Sequence, residues 1–144
     1  MTKASKSPLT KAEFEALSAF RYQIRRFERS SEDAVRPFGI TPLQSLLLLH
    51  VKGFPERDFA TVGELAERLQ AQPHGVVALV TRCEEHGFVE RRPSATDRRV
   101  VEIHLLPEGE RVLQHLAGLH RSELQSLGDV FTIPSINRQP RHGS

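Results

Sequence analysis

The chain reads as a mainly α-helical fold interrupted once, late in the sequence, by a small β hairpin. Apolar residues recur at steps of three and four through most of its length, the spacing that gathers them on one face of a helix. Thr-led capping signals open several of these segments, each able to satisfy backbone amides that a helix start leaves unpaired. Between Phe88 and Leu105 the period changes towards two, the alternation of a half-buried strand.

The first helix opens at Thr10-Lys11-Ala12-Glu13, a capping box, and extends to about Val35. Phe14, Leu17, Phe20, Ile24 and Phe27 form its apolar stripe, with Arg21, Arg25 and Glu28 on the other side. Pro37 and Gly39 stop it, and Thr41-Pro42-Leu43-Gln44 starts a second helix with proline at the first helical position. Leu43, Leu46 to Leu49 and Val51 make that helix apolar almost all round, so it is expected to be buried on most sides. Gly53 to Ala60 reads as a loop. Thr61-Val62-Gly63-Glu64 then opens a short third helix carrying Leu65, Ala66 and Leu69 inward.

Gln72-Pro73 begins a fourth helix whose Val76, Leu79, Val80 and Cys83 share a face until Gly87 ends it. The short turn between the third and fourth helices predicts a helix-turn-helix. Phe88 to Arg92 and Val100 to Leu105 read as the strands of the hairpin, with a basic tip between them. Beyond Pro107 a long last helix places Val112, Leu113, Leu116, Leu119, Leu124 and Leu127 at helical spacing. After Gly128, Pro134 and Pro140 break any period, and a frayed tail is expected.

Composition narrows the functional classes. At 144 residues the chain is expected to make one domain, and 38% hydrophobic content suffices for a core without staples. The net charge of +2 is too small to name a nucleic-acid partner, although sixteen of the twenty basic residues are Arg, the planar fork that suits phosphates and guanine edges. One cysteine allows neither an internal disulfide nor a thiolate metal site. The start of the chain lacks the apolar stretch of a secretory signal, and no apolar run approaches the roughly 20 residues that span a bilayer. A cytoplasmic location without membrane contact is therefore expected. Seven histidines show no paired ligand spacing, and no nucleophile elbow or phosphate-cradling loop is present. No metal, cofactor or catalytic activity is expected.

Helices, a helix-turn-helix and then a hairpin make the order of a winged helix-turn-helix. From Phe14 to Leu127 the chain resembles the MarR family of bacterial transcription regulators, through Gly39-Ile40-Thr41-Pro42, Gly63-Glu64-Leu65-Ala66, Glu85-His86-Gly87-Phe88-Val89 and Asp97-Arg98-Arg99. The last is the most specific: an Asp and an Arg two residues later at the wing tip, then a strand, then Gly109 opening the next helix. The resemblance implies a homodimer that binds a pseudo-palindromic double-stranded DNA operator, usually as a repressor, and is released by a small phenolic or aromatic ligand. It divides the chain into a flexible N-terminus (1–9), dimerisation helices (10–36 and 107–127), a DNA-binding lobe (40–106) and a tail (128–144). Two departures stand out. After Leu127, where a further dimerisation helix is usual in the family, this chain shows Val130, Phe131 and Ile133 and then prolines, and Leu106 replaces a common capping Thr, a loss of about 1 kcal/mol.

On this reading the fourth helix enters the major groove with Gln72, His74 and Gly75 at its N-terminal end, and Arg82 further along touches the DNA backbone. Thr61, Arg92, Asp97, Arg98 and Arg99 complete the DNA-facing set, the wing arginines reaching a narrow minor groove while Asp97 orients one of them. Val77 and Ala78 occupy positions where relatives carry polar side chains, so base readout is expected to be sparse. Phe20, Tyr22, Arg26, Phe27 and His50 are the candidates for a ligand site where the dimer helices meet the DNA-binding lobe. The same aromatic residues at helical spacing would equally serve as core. Two other readings stay open: a winged helix that binds protein and no specific DNA, and a thiol-based redox sensor using Cys83. A buried Cys on an apolar face behaves as a small hydrophobe, which favours packing over reactivity.

Overall fold

A computed structural model describes residues 7–127 and 133–136. Among these residues five α-helices and three short strands follow one another as α1 (Lys11–Val35), α2 (Pro42–Lys52), β1 (Phe59–Thr61), α3 (Val62–Leu69), α4 (Pro73–Glu85), β2 (Val89–Pro93), β3 (Val101–Leu105) and α5 (Pro107–Leu127), with a 3-10 turn at Arg36–Phe38. Residues 133–136 carry no regular structure, and the rest of the expected tail lies outside the described residues.

The helix starts form where local chemistry places them. In the first box, Thr10 N–H donates to Glu13 Oε1 at 3.1 Å and Glu13 N–H to Thr10 Oγ1 at 3.2 Å. Thr41 with Gln44 and Thr61 with Glu64 close the same reciprocal box at α2 and α3. Each box satisfies two amides that the helix itself cannot. At the other end of α4, Gly87 takes a φ of +73°, a left-handed turn that glycine adopts without steric cost.

The chain divides into two compact units, one within residues 1–30 and 122–144, the other Ser31–Arg121. The second unit holds the main core, where Leu47, Leu48, Val51, Ala60, Leu65, Val76, Val80, Cys83 and Ile103 are completely buried. In the first unit the α1 stripe is only partly covered: Leu17, Phe20, Ile24 and Phe27 are half-buried, and Phe14 is 56% exposed.

Two expectations are corrected. The segment read as a loop from Gly53 to Ala60 ends in β1, which pairs antiparallel with β3 through Phe59↔His104, Ala60↔Ile103 and Thr61↔Glu102. The hairpin is thereby part of a three-stranded sheet of order β1-β3-β2. Helix α2, expected to be buried on most sides, buries only Gln44, Leu47, Leu48 and Val51, while Leu43, Leu46 and Leu49 stay exposed. Positions 44, 47, 48 and 51 follow the helical repeat, so one face meets the core and the others turn away regardless of their apolarity.

Candidate nucleic-acid interface

Helix α4 presents two distinct faces. Val76, Leu79, Val80 and Cys83 point into the core, whereas His74, Gly75, Val77, Ala78, Thr81 and Arg82 are exposed. Gln72 stands at the N-cap with extended backbone, yet its side chain makes no capping hydrogen bond and is exposed. Its amide is thus not consumed by the helix start and can donate and accept outward. A Cβ built on Gly75 would meet nothing within 4 Å, so the absence of a side chain there leaves an open approach to backbone. Thr61, by contrast, spends its hydroxyl locally, accepting Glu64 N–H at 3.3 Å as the cap of α3.

The wing tip is built by its own short side chains. Ser94 N–H donates to Val100 O and Val100 N–H to Asp97 O, both at 3.0 Å, closing the turn. Ser94 Oγ accepts the amides of Thr96 and Asp97, each at 3.3 Å. Asp97 Oδ1 then accepts both the Arg99 amide at 3.0 Å and Arg99 Nε at 3.3 Å. The Arg99 side chain is nevertheless 91% exposed, an arginine aimed by one carboxylate with its remaining N–H groups in solvent. Arg98 beside it is exposed.

Arg92, grouped with these by sequence, is engaged at the strand: it pairs with Glu90, and its Nη1 lies 3.4 Å from His104 Nδ1. His104 in turn contacts Glu102 at 2.9 Å and stacks on Phe59 at 5.0 Å between centroids.

Arg91, which sequence reasoning passed over, joins β2 to the outer side of α4. It pairs with Glu84, and its Nη2 donates to Val77 O and Thr81 Oγ1, each at 3.0 Å. Arg57, just before β1, is paired with Glu64 of α3 and lies over the rings of Phe54 (4.2 Å) and Phe59 (4.7 Å). Burial raises the pKa of Glu64, but hydrogen bonds from Thr61 and Arg57 outweigh it and hold the carboxyl below its usual value.

The ligand candidates fall in separate units. Phe20, Tyr22, Arg26 and Phe27 lie on α1, where the Arg26 guanidinium stands 5.8 Å from the Tyr22 ring centre. His50 lies on α2, its pKa lowered by burial and by the nearby Arg68 charge. Cys83 is buried, and desolvation pushes its thiol up to about 11. Among the described residues no group of three or more His, Cys, Asp or Glu side chains is placed to hold a metal, and no helix is long and apolar enough to cross a membrane.

Comparison with known proteins bears on this arrangement. The family model of the MarR family matches residues 38–100. The chain is 30% identical over 109 residues to an uncharacterised HTH-type transcriptional regulator, YsmB, of Bacillus subtilis (strain 168), spanning 76% of this chain and 73% of that protein. It is 32% identical over 72 residues to the HTH-type transcriptional repressor MdtR of the same organism, spanning 50% of this chain and 44% of that one. Among solved structures, AbsC, a MarR family transcriptional regulator from Streptomyces coelicolor, superposes with a TM-score of 0.74 at 22% identity, over 90% of this chain and 86% of that one. The S. aureus MepR-DNA complex superposes with a TM-score of 0.61 at 21% identity, over 76% of this chain and 88% of that one. At these identities the two structures establish the fold, a winged helix.

Proposed function

The chain belongs to the MarR family of transcription regulators, and on that premise we propose that it works as a homodimeric repressor that grips a pseudo-palindromic operator and lets go when a small aromatic ligand binds. That it is a DNA-binding transcriptional regulator follows from the family. The observation that carries the grip on an operator is the wing tip, where Asp97 aims Arg99 while leaving it 91% exposed. An arginine held and yet solvent-facing suits the negative potential of a narrow minor groove.

The exposed first turn of α4 supports the rest. Gln72, His74 and Gly75 approach base edges in the major groove, Arg82 neutralises a phosphate, and Arg98 adds charge at the wing. Thr61 and Arg92 contribute less, since the first caps α3 and the second is paired with Glu90. Partial exposure of the α1 stripe, with Leu119 and Leu124 on α5 41% and 60% exposed, supports residues 10–36 and 107–127 as the dimerisation helices and 40–106 as the DNA-binding lobe. Phe20, Tyr22, Arg26 and Phe27 on α1 are the residues we propose for the effector. Two lobes related by a two-fold then read major grooves about 34 Å apart.

Sedimentation of the chain alone and with a duplex selected from random sequence tests this proposal. It predicts a dimer in both cases and two chains per duplex. A monomer bound one to one would contradict it. The protein-interaction reading draws on the exposed Val77 and Ala78 and predicts no complex with DNA.

A further inference from the structure

The recognition helix and the wing are separate elements, and the side chain of Arg91 joins their outer surfaces. Arg91 reaches from β2 to three acceptors on α4: the Val77 carbonyl, the Thr81 hydroxyl and the Glu84 carboxylate. Those residues lie along one side of the helix and span about 10 Å of its axis. Thr81 Oγ1 donates to Val77 O at 3.1 Å and accepts from Arg91, so the hydroxyl serves both partners in consistent directions. A tether to one point would fix a distance. Three points along two turns, met by a planar fork, fix a direction as well.

The other end of the tether is equally constrained. Arg91 sits opposite Ile103 in the β2–β3 ladder, and Val89, on the same face of β2, is buried. Two ladder pairs further on, Arg92↔Glu102 and Pro93↔Val101, the strands pass into the tip that carries Asp97 and Arg99. Beside the backbone link at the end of α4, where Phe88 N–H donates to Cys83 O, this guanidinium is a second tie between α4 and the paired strand that leads to the wing tip.

We infer that Arg91 is a positioning residue: with Glu84 and Thr81 it locks α4 and the wing at one mutual angle, so that both meet their grooves in a single register. The inference rests on the DNA-binding function proposed above and extends it to specificity. Phosphate contacts supply affinity to any duplex, whereas base readout requires the helix to be correctly aimed. Loosening the lock therefore lowers discrimination between sequences and leaves generic binding in place.

The alternative role, Arg91 as a phosphate contact restrained by Glu84, makes the opposite prediction for Glu84→Ala. That change removes a negative charge beside the DNA and frees a cation, so a direct contact would bind more tightly. A lock would bind its preferred sequence less tightly. Arg91→Lys keeps the charge but cannot meet three acceptors at once, so it separates charge from geometry.

The test uses the full chain, a duplex selected by the wild type from random sequence, and a shuffled duplex of equal composition, at one salt concentration. Thermal unfolding confirms that each variant is folded. We expect Glu84→Ala and Arg91→Lys each to lower the selected-to-shuffled affinity ratio by about tenfold, the scale of one well-made base contact, with shuffled binding within about twofold of wild type. Equal or tighter binding of the selected duplex by Glu84→Ala would overturn the inference. So would an unchanged ratio in Arg91→Lys, or an equal loss on both duplexes. Failure of the wild type itself to bind either duplex would overturn the DNA-binding function first, and the inference with it.

Discussion

At Gly109, α5 passes against the backbone of Phe88, the residue before β2, and Gly109→Ala measures that contact. A Cβ built there lies 2.1 Å from the Phe88 carbonyl oxygen, 2.9 Å from its carbonyl carbon and 3.1 Å from its Cα. Ordinary C···O approach begins near 3.3 Å, so backbone must move by about 1 Å. Phe88 has little freedom to move: its N–H donates to Cys83 O at 3.0 Å and its carbonyl accepts Leu106 N–H at 2.9 Å. Alanine gains about 1 kcal/mol of helix propensity over glycine. Overpacking costs about 1–3 kcal/mol, and losing the Phe88–Leu106 hydrogen bond about 1 kcal/mol more. The steric terms win, for a net loss of about 1–3 kcal/mol and a fall in Tm of about 2–12 °C.

Gly75→Ala supplies the control, because its Cβ meets nothing within 4 Å. There the propensity gain stands alone, and Tm rises by about 2–4 °C. Both variants are followed by circular dichroism at one protein concentration, since the Tm of the proposed dimer depends on it. A Tm for Gly109→Ala at or above that of wild type would refute the steric reasoning.

Four further outcomes follow. Gly75→Ala, although more stable, binds DNA more weakly in an anisotropy titration, because on the proposed docking the new methyl group stands between backbone and groove. Arg99→Ala lowers the slope of log affinity against log salt by about one unit, and Asp97→Ala weakens binding despite removing a negative charge, because Arg99 loses its aim. With its thiol pushed up to about 11, Cys83 resists iodoacetamide at pH 8 until the chain is unfolded, and mild peroxide leaves the DNA complex intact; rapid alkylation of folded protein would contradict its packing role. Stability falls in two steps on acidification, because His50 and Glu64 both have folded pKa values below their ordinary 6.5 and 4.5. Each contribution is present above the ordinary value and is lost as pH falls through the folded one, so His50→Phe removes the upper step and Glu64→Gln the lower in urea titrations across pH.

What the sequence made legible was local chemistry. The boxes at Thr10, Thr41 and Thr61 rest on residues three apart, and all three are formed. The Asp97–Arg99 contact spans two residues, and a reader of the sequence could expect it. The strand β1 was hidden because Phe59-Ala60-Thr61 is too short to show a period, and its partner β3 comes much later in the chain. Leucines surrounding α2 told nothing of which side the core would take, and only burial of Gln44, Leu47, Leu48 and Val51 distinguishes it. Arg91 was hidden for a related reason. Its partners at 77, 81 and 84 become neighbours only once β2 is laid across α4, whereas Arg92, one residue on, looked equally basic and is paired with Glu90.

The central claim is specific, electrostatically driven binding to an operator. Its most direct test is the anisotropy of the purified chain titrated against its own upstream intergenic DNA and a shuffled control, each at two salt concentrations. We predict tighter binding to the native sequence and a steep loss of affinity with salt on both duplexes, as counterions released by phosphate contacts require. Absence of binding to either duplex at the lower salt would contradict the account.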